Sequence, residues 1–146
     1  MSDHWTPESF EADDGSVPFA RFIDRLPDSK FVALDAAIKR VLVARGIDLA
    51  RTEWLKPLGG GLHEFRIRHD ADEIERMFAH SAPTGRPTTD RILLRVFVHF
   101  HGQKRILLLS GYDKGRDPTD RRQHREMAAA RRLLAQFKRR RRANRT

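Results

Sequence analysis

The stretch from Ile92 to Gly111 constrains this chain more than any other. Apolar residues alternate through it: Ile92, Leu94, Val96, Val98 and Phe100 fall on one face of an extended strand, and Leu93, Arg95, Phe97, His99 and His101 on the other. Gly102-Gln103 then reads as a two-residue hairpin turn of the Gly-first type, and the chain returns through Lys104 to Gly111. Period-two alternation is incompatible with a helix, so the chain must build an antiparallel hairpin and cover its apolar side. In that register Arg95 lies opposite Ser110, and Tyr112 and Lys114 continue on the Arg95 face.

The covering elements flank the hairpin in sequence. Phe19, Phe22, Ile23 and Leu26 recur at helical spacing between Val17 and Leu26, with Asp14 and Ser16 as caps and Pro27 as the stop. A second helix is expected from Asp28 or Ser29 to Arg45, with Phe31, Leu34, Ile38 and Val41 on one face and Gly46 as its left-handed terminator. Leu62 to His69 reads as a strand, greasy on the Phe65 and Ile67 face and charged on the Glu64, Arg66 and Arg68 face. Residues 1–10 hold Trp5 and Phe10 among polar residues, either a weak first strand or a loose end. Residues 70–90 are polar, with Pro83, Gly85 and Pro87, and read as an excursion between strands with one helical turn at Glu73 to Phe78. Asp117-Pro118 is an N-cap followed by proline at the first helical position, and Met127, Ala130, Leu134 and Phe137 stripe the closing helix. The fold class is therefore α+β: two N-terminal helices packed on an antiparallel sheet, with a C-terminal helix. One domain is expected over residues 1–137, followed by a basic, disordered tail at 138–146.

Composition narrows the chemistry. Without a cysteine among its 146 residues the chain has no disulfide framework, thiolate metal site or cysteine nucleophile. No uninterrupted apolar run is longer than that of Ile106 to Leu109, far short of the roughly 20 residues that span a bilayer. The acidic N-terminus also lacks a signal peptide's basic and apolar regions, so a cytoplasmic location without membrane contact is expected. The net charge of +9 is uneven, because Lys138, Arg139, Arg140, Arg141, Arg142 and Arg145 crowd the C-terminus. Such a chain attracts polyanions: RNA, DNA or the ribosome. Gly59-Gly60-Gly61 lacks the Lys-Ser/Thr of a phosphate loop, Ser81 and Ser110 sit on no nucleophile elbow, and His99 and His101 have no third ligand at a diagnostic spacing. No metal or other cofactor is expected.

What remains is a carboxylate, cations, a histidine and a tyrosine on adjacent strands: Glu64, Arg66, Arg95, His99, Tyr112 and Lys114. RNA cleaves itself once its 2′-hydroxyl is deprotonated and aligned with the phosphorus and the departing 5′-oxygen is protonated. A protein needs only a base, an acid and cations that hold the phosphorane's charge more tightly than the ground state's. The same residues also fit plain surface ion pairing of Glu64 with Arg66 or Arg95, beside a half-buried histidine and a turn lysine.

A resemblance bears on that choice. Leu58-Gly59-Gly60-Gly61-Leu62-His63-Glu64-Phe65-Arg66-Ile67 resembles the "L-x-G-G-L-x-E-L-R" strand of RelE/ParE-superfamily toxins, in their HigB-like, phage Gp49-like branch. Arg95-Val96-Phe97 is similar to that branch's "R-V-hydrophobic" strand, Ile106 to Lys114 to its "I-V-L-L-h-G-aromatic-x-K" strand and turn, and Pro118 through Glu126 to Ala130 to its "T-P-x-x-E-I-x-x-A" helix. The opening helices are similar to its "V-x-x-F-L-x-x-L" segment, so the resemblance covers Val17 to Phe137. It implies a small RelE-like toxin that cuts messenger RNA in the ribosomal A site and is silenced by a cognate, HigA-like helix-turn-helix antitoxin. It further implies that Arg66 and Arg95 carry transition-state charge, that Lys114 contacts phosphate or activates the base, and that Tyr112 stacks on a nucleobase or donates a proton. Glu64 or His99 would be the general base, and Arg68, His101, Lys104, Arg116, Arg121 and Arg122 would hold the RNA. The pattern departs from the family where Lys114 is followed by Gly115 instead of a second lysine. Two alternatives stay open: an inactive relative that binds nucleic acid or a partner through the same face, and a ParE-like gyrase inhibitor. A phage structural or host-interaction protein is a further one.

Overall fold

Two-sided apolar patterning sends the hairpin to the middle of the sheet. In the computed structural model, which describes residues 4–78 and 91–144, strand β4 (Leu94–His101) and strand β5 (Arg105–Asp113) pair antiparallel. Strand β3 (Leu62–Ile67) pairs antiparallel with β4, and β2 (Leu55–Gly59) with β3. The N-terminal segment is a strand, β1 (Thr6–Ser9), which runs parallel to β5 from Thr6 opposite Arg105 to Ser9 opposite Leu108. The order is β1-β5-β4-β3-β2, so the sheet is mixed rather than wholly antiparallel. Strand β2 carries no alternation that the sequence reveals; as an edge strand it tolerates Pro57.

The hairpin departs from its expected register twice, by one residue in the same direction each time, which moves Arg95 from Ser110 to Tyr112 but restores the expected facing. His101 pairs with Arg105, so the turn has three residues, with Lys104 in the left-handed region at φ 55°. That extra residue moves Ile106 and Leu108 to the Val98 face. A β-bulge between Phe97 and Val98 then shifts the register again, bringing Ser110 opposite Phe97 and Tyr112 opposite Arg95. Each step inverts the facing of every later side chain, so Ser110 and Tyr112 recover the Arg95 face by way of the bulge.

Both faces are covered. On one side Leu94, Val96, Val98, Ile106 and Leu108 form a core with Phe19, Phe22, Leu34, Val41, Leu42 and Ile74. These come from helix α1 (Pro18–Asp24), helix α2 (Asp28–Ala37) with its π-helical continuation Ile38–Leu42 into α3 (Val43–Arg45), and α4 (Ala71–Phe78). The expected second helix is thus one continuous rod with a widened turn, but its buried line runs through Ala33, Leu34, Ala37 and Val41. Phe31, expected on that line, is 41% exposed, because the fully buried alanines form the line of closest approach. Helix α4 exceeds the expected single turn, with the Asp70 carboxylate accepting the Glu73 N–H at 2.9 Å. The excursion's residues 79–90 lie outside the described residues.

The opposite face carries Phe97, Leu107, Leu109 and Tyr112, covered by Ala130 and Leu134 of helix α5 (Asp120–Ala143). Its N-cap is Thr119, whose hydroxyl accepts the Arg122 N–H, rather than Asp117. Asp117 instead accepts from the Thr119 hydroxyl at 2.7 Å. Through Ala143 the supposed tail is helix, not disorder; Arg145 lies outside the described residues. The acidic N-terminal segment anchors it: Arg140 donates to Asp13 at 2.7 Å and lies 4.8 Å over the Phe10 ring, while Lys138 donates to the Gly60 carbonyl at 2.7 Å.

Gly46 ends the helical rod at φ 53°, ψ −131°, a conformation closed to L side chains, and a Cβ there would overlap the Trp5 indole. Gly15 also has positive φ, at 85°, but nothing lies within 4 Å of its would-be Cβ. Gly46→Ala is therefore expected to reduce unfolding free energy in urea by at least ~2 kcal/mol, from strain plus overpacking, and Gly15→Ala by only about 1 kcal/mol.

Candidate functional site

Cross-strand register decides which charged side chains meet. On the face covered by α5, Arg66, Arg95 and Tyr112 form one row across β3, β4 and β5, and Glu64, Phe97 and Ser110 form the next. Directly opposed arginines repel, so this row needs a counterion. Glu64 supplies it from full burial: Oε1 accepts from Arg66 Nε at 3.0 Å and lies 3.8 Å from Arg95 Nε, and Oε2 accepts from Gln123 Nε2 at 3.3 Å. Both oxygens are thereby engaged, so Glu64, one of the two candidate general bases, is placed as a buried counterion to the arginines.

The cations outnumber that carboxylate. Arg95 is only 3% exposed; its guanidinium donates to the Leu94 carbonyl at 3.2 Å, and its Nε has no hydrogen-bond partner. Burial lowers its pKa below the ordinary value; Glu64 opposes that, and Arg68 and Arg66 add to it. Half-buried Lys114 feels the same cluster. Burial, then the Arg95 guanidinium, hold its pKa below the ordinary lysine value, with Arg66 and Arg68 adding to the effect and Glu64 opposing it. Arg66, Arg68, Arg95 and Lys114 thus concentrate positive charge at one end of the three central strands, and Arg68 is exposed there.

Other expected site residues stand elsewhere. Tyr112 is 2% exposed, stacked on Phe97 with ring centroids 6.2 Å apart, and the Arg122 guanidinium lies 5.3 Å from its ring centre. Burial first, then Glu64, push its pKa up to about 12. A ring so covered presents no face to a nucleobase, so the stacking role does not fit. His99 is four positions along β4 from Arg95, about 13 Å away at strand rise, and bonds to the Gly61 carbonyl at 2.8 Å. Burial lowers its pKa, and its ring stacks on His101. His101 in turn bonds Glu8 at 2.7 Å, and the Lys104 carbonyl accepts the Thr6 N–H in the hairpin turn. His99, His101 and Lys104 therefore belong to the hairpin end of the sheet, away from the arginine row. Arg116 and Arg121 lie exposed in the approach to α5 and in its first turn, and Arg122 bonds Glu126 at 2.8 Å.

Gln123 is the participant that sequence reading passed over. It lies one turn before Met127 on the same helical stripe, so extending the stripe toward the N-terminus would have placed an amide against the sheet. Among the described residues no three His, Asp or Glu side chains come together to hold a metal, and no helix is long and apolar enough to cross a membrane. No family model, curated protein or solved structure matches the chain.

Removing the Glu64 charge leaves two guanidiniums without their buried counterion. Glu64→Gln is expected to lose about 3–5 kcal/mol of stability in urea unfolding, and sulfate, by occupying the cation cluster, should restore part of the loss in the variant.

Proposed function

We propose that the cluster of Arg66, Arg68, Arg95 and Lys114 is the active site of a type II toxin, a ribosome-dependent endoribonuclease of RelE-like fold in the HigB-like branch. The observation that supports this reading is the excess of cations over the one buried carboxylate among them. Such a site gains most from a ligand whose own negative charge grows, and the phosphorane formed in RNA cleavage is one.

In this reading Arg66 and Arg68 contact the scissile phosphate, and Arg95, beneath them, contributes its field without direct contact. Lys114 is the base: its lowered pKa raises the share of neutral amine, which takes the 2′-hydroxyl proton as the oxygen attacks phosphorus. The bond to the 5′-oxygen breaks, that oxygen takes a proton from water, and a 2′,3′-cyclic phosphate is left. Metal and cofactor are not required. A HigA-like antitoxin, the ribosome and mRNA are the partners this reading calls for, in the cytoplasm. The burial of Tyr112 and Glu64 favours one second reading, an inactive relative that binds RNA without cutting it.

Primer extension on a reporter mRNA in a reconstituted translation reaction separates the two. Cuts in codon register that need ribosomes and vanish in Arg66→Ala support the nuclease; intact message with retained RNA affinity supports the binding-only relative. Lys114→Met should lower cleavage by about 10²–10⁴-fold. The wild-type rate should rise with pH and level off below the free lysine pKa of about 10.4, because the lysine must be neutral to act, and the variant should lose that rise.

A further inference from the structure

A second cationic feature lies apart from the arginine row. Strand β1 pairs only with Arg105 to Leu108, so Ser110 to Asp113 form a bare edge of β5. Helix α1 and helix α5 flank that edge and enclose a cleft of about 550 Å³. Phe22, Leu26 and Leu133 make its apolar walls. Arg21, Arg25, Arg116 and Arg132 ring it, and none of these guanidiniums has an ion-pair or hydrogen-bond partner among the described residues. The two acids in the lining are already engaged, Asp113 by Lys30 at 2.5 Å and Glu126 by Arg122 at 2.8 Å. At the floor, the Ser110 and Tyr112 hydroxyls are buried without a hydrogen-bond partner, and their residues are 7% and 2% exposed.

Four guanidiniums without an ion-pair partner around one concavity call for a compact polyvalent anion, since each presents a fork matched to phosphate oxygens. The apolar walls call for a flat, largely apolar body on the same molecule. The unpartnered hydroxyls call for polar edges on that body. We infer that the cleft between α1 and α5 binds a nucleotide, its phosphate held by Arg21, Arg25, Arg116 and Arg132 and its base seated between Leu26 and Leu133. The nucleotide is either free or one unit of an RNA strand. This site is separate from the proposed cleavage site and does not depend on cleavage: Lys114 and Arg66 do not line it.

Calorimetric titration of the full chain tests the assignment with adenosine and uridine monophosphates, a six-nucleotide 2′-deoxy oligonucleotide, inorganic phosphate and a polyglutamate peptide. Arg25 and Arg132 are solvent-exposed, so the double variant Arg25→Ala/Arg132→Ala keeps the fold, which circular dichroism verifies. A free-nucleotide site is established if a monophosphate binds and the double variant weakens it at least tenfold. If only the oligonucleotide binds with that dependence, the ligand is a strand. Ser110→Ala should weaken the same probe by a smaller factor, and the part of the binding that the double variant removes should be the same in an Arg66→Ala background, since Arg66 does not line the cleft. The inference is overturned if neither nucleotide probe binds, if binding ignores the double variant, or if inorganic phosphate binds as tightly as the nucleotides. Capture of a polyglutamate peptide alone, with the same arginine dependence, would assign the cleft to an acidic protein segment and overturn it equally.

Discussion

One buried carboxylate makes the polar side of this sheet possible. Glu64 has no exposure to water, and an isolated ion in that position would cost several kcal/mol. Two guanidiniums and the Gln123 amide gather about it instead, and together they allow Arg66 and Arg95 to stand opposite each other on neighbouring strands. The arrangement is reciprocal: the arginines justify the buried acid, and the acid justifies the adjacent arginines. Helix α5 completes it, because Gln123 reaches Glu64 only while the stripe from Met127 to Phe137 holds that helix on the sheet.

Charge is balanced locally wherever the chain is packed and left in excess at its open ends. Asp13 restrains Arg139 and Arg140 at the far end of α5, and Glu8 holds His101 and Arg105 at the hairpin. Around Lys114 the cations outnumber the one buried carboxylate among them, and around the α1–α5 cleft the two lining acids are paired with Lys30 and Arg122, so positive charge is left in excess at both places. Placement of this kind is what makes polyanion binding specific to a site, whereas total charge alone supports only salt-sensitive, sequence-blind attraction.

The hairpin shows what could be read in advance and what could not. Alternation assigned Val96 and Val98 to one face and Arg95 and Phe97 to the other, because period two is a property of neighbouring residues. Which residue faces Arg95 depends on the turn length and on a bulge, and these are settled by packing across strands that sequence spacing does not carry. The α5 stripe from Met127 to Phe137 was equally legible, yet helix persistence through Arg140 rests on Asp13, distant in sequence. Strand β2 was invisible, since Lys56, Pro57 and Gly59 have no strand signature and are held by pairing with β3. Glu64, Arg66, Arg95 and Lys114 did come together as expected; burial of Tyr112 and removal of His99 to the hairpin end are tertiary facts. Arg21, Arg25 and Arg132 escaped notice because helices from opposite ends of the chain bring them together.

The chemistry proposed for the arginine row passes through the ribose 2′-hydroxyl, so the termini of the cut RNA test it most directly. The measurement is mass spectrometry of fragments from an mRNA cut on ribosomes, beside the same message with a single 2′-deoxy nucleotide at the cut position. Attack by the 2′-oxygen leaves a 2′,3′-cyclic phosphate on the upstream fragment, and the deoxy substitution should abolish that cut while sparing others. Fragments ending in a 3′-hydroxyl, cleavage that persists at the deoxy nucleotide, or a message that stays whole beside folded protein would each contradict it.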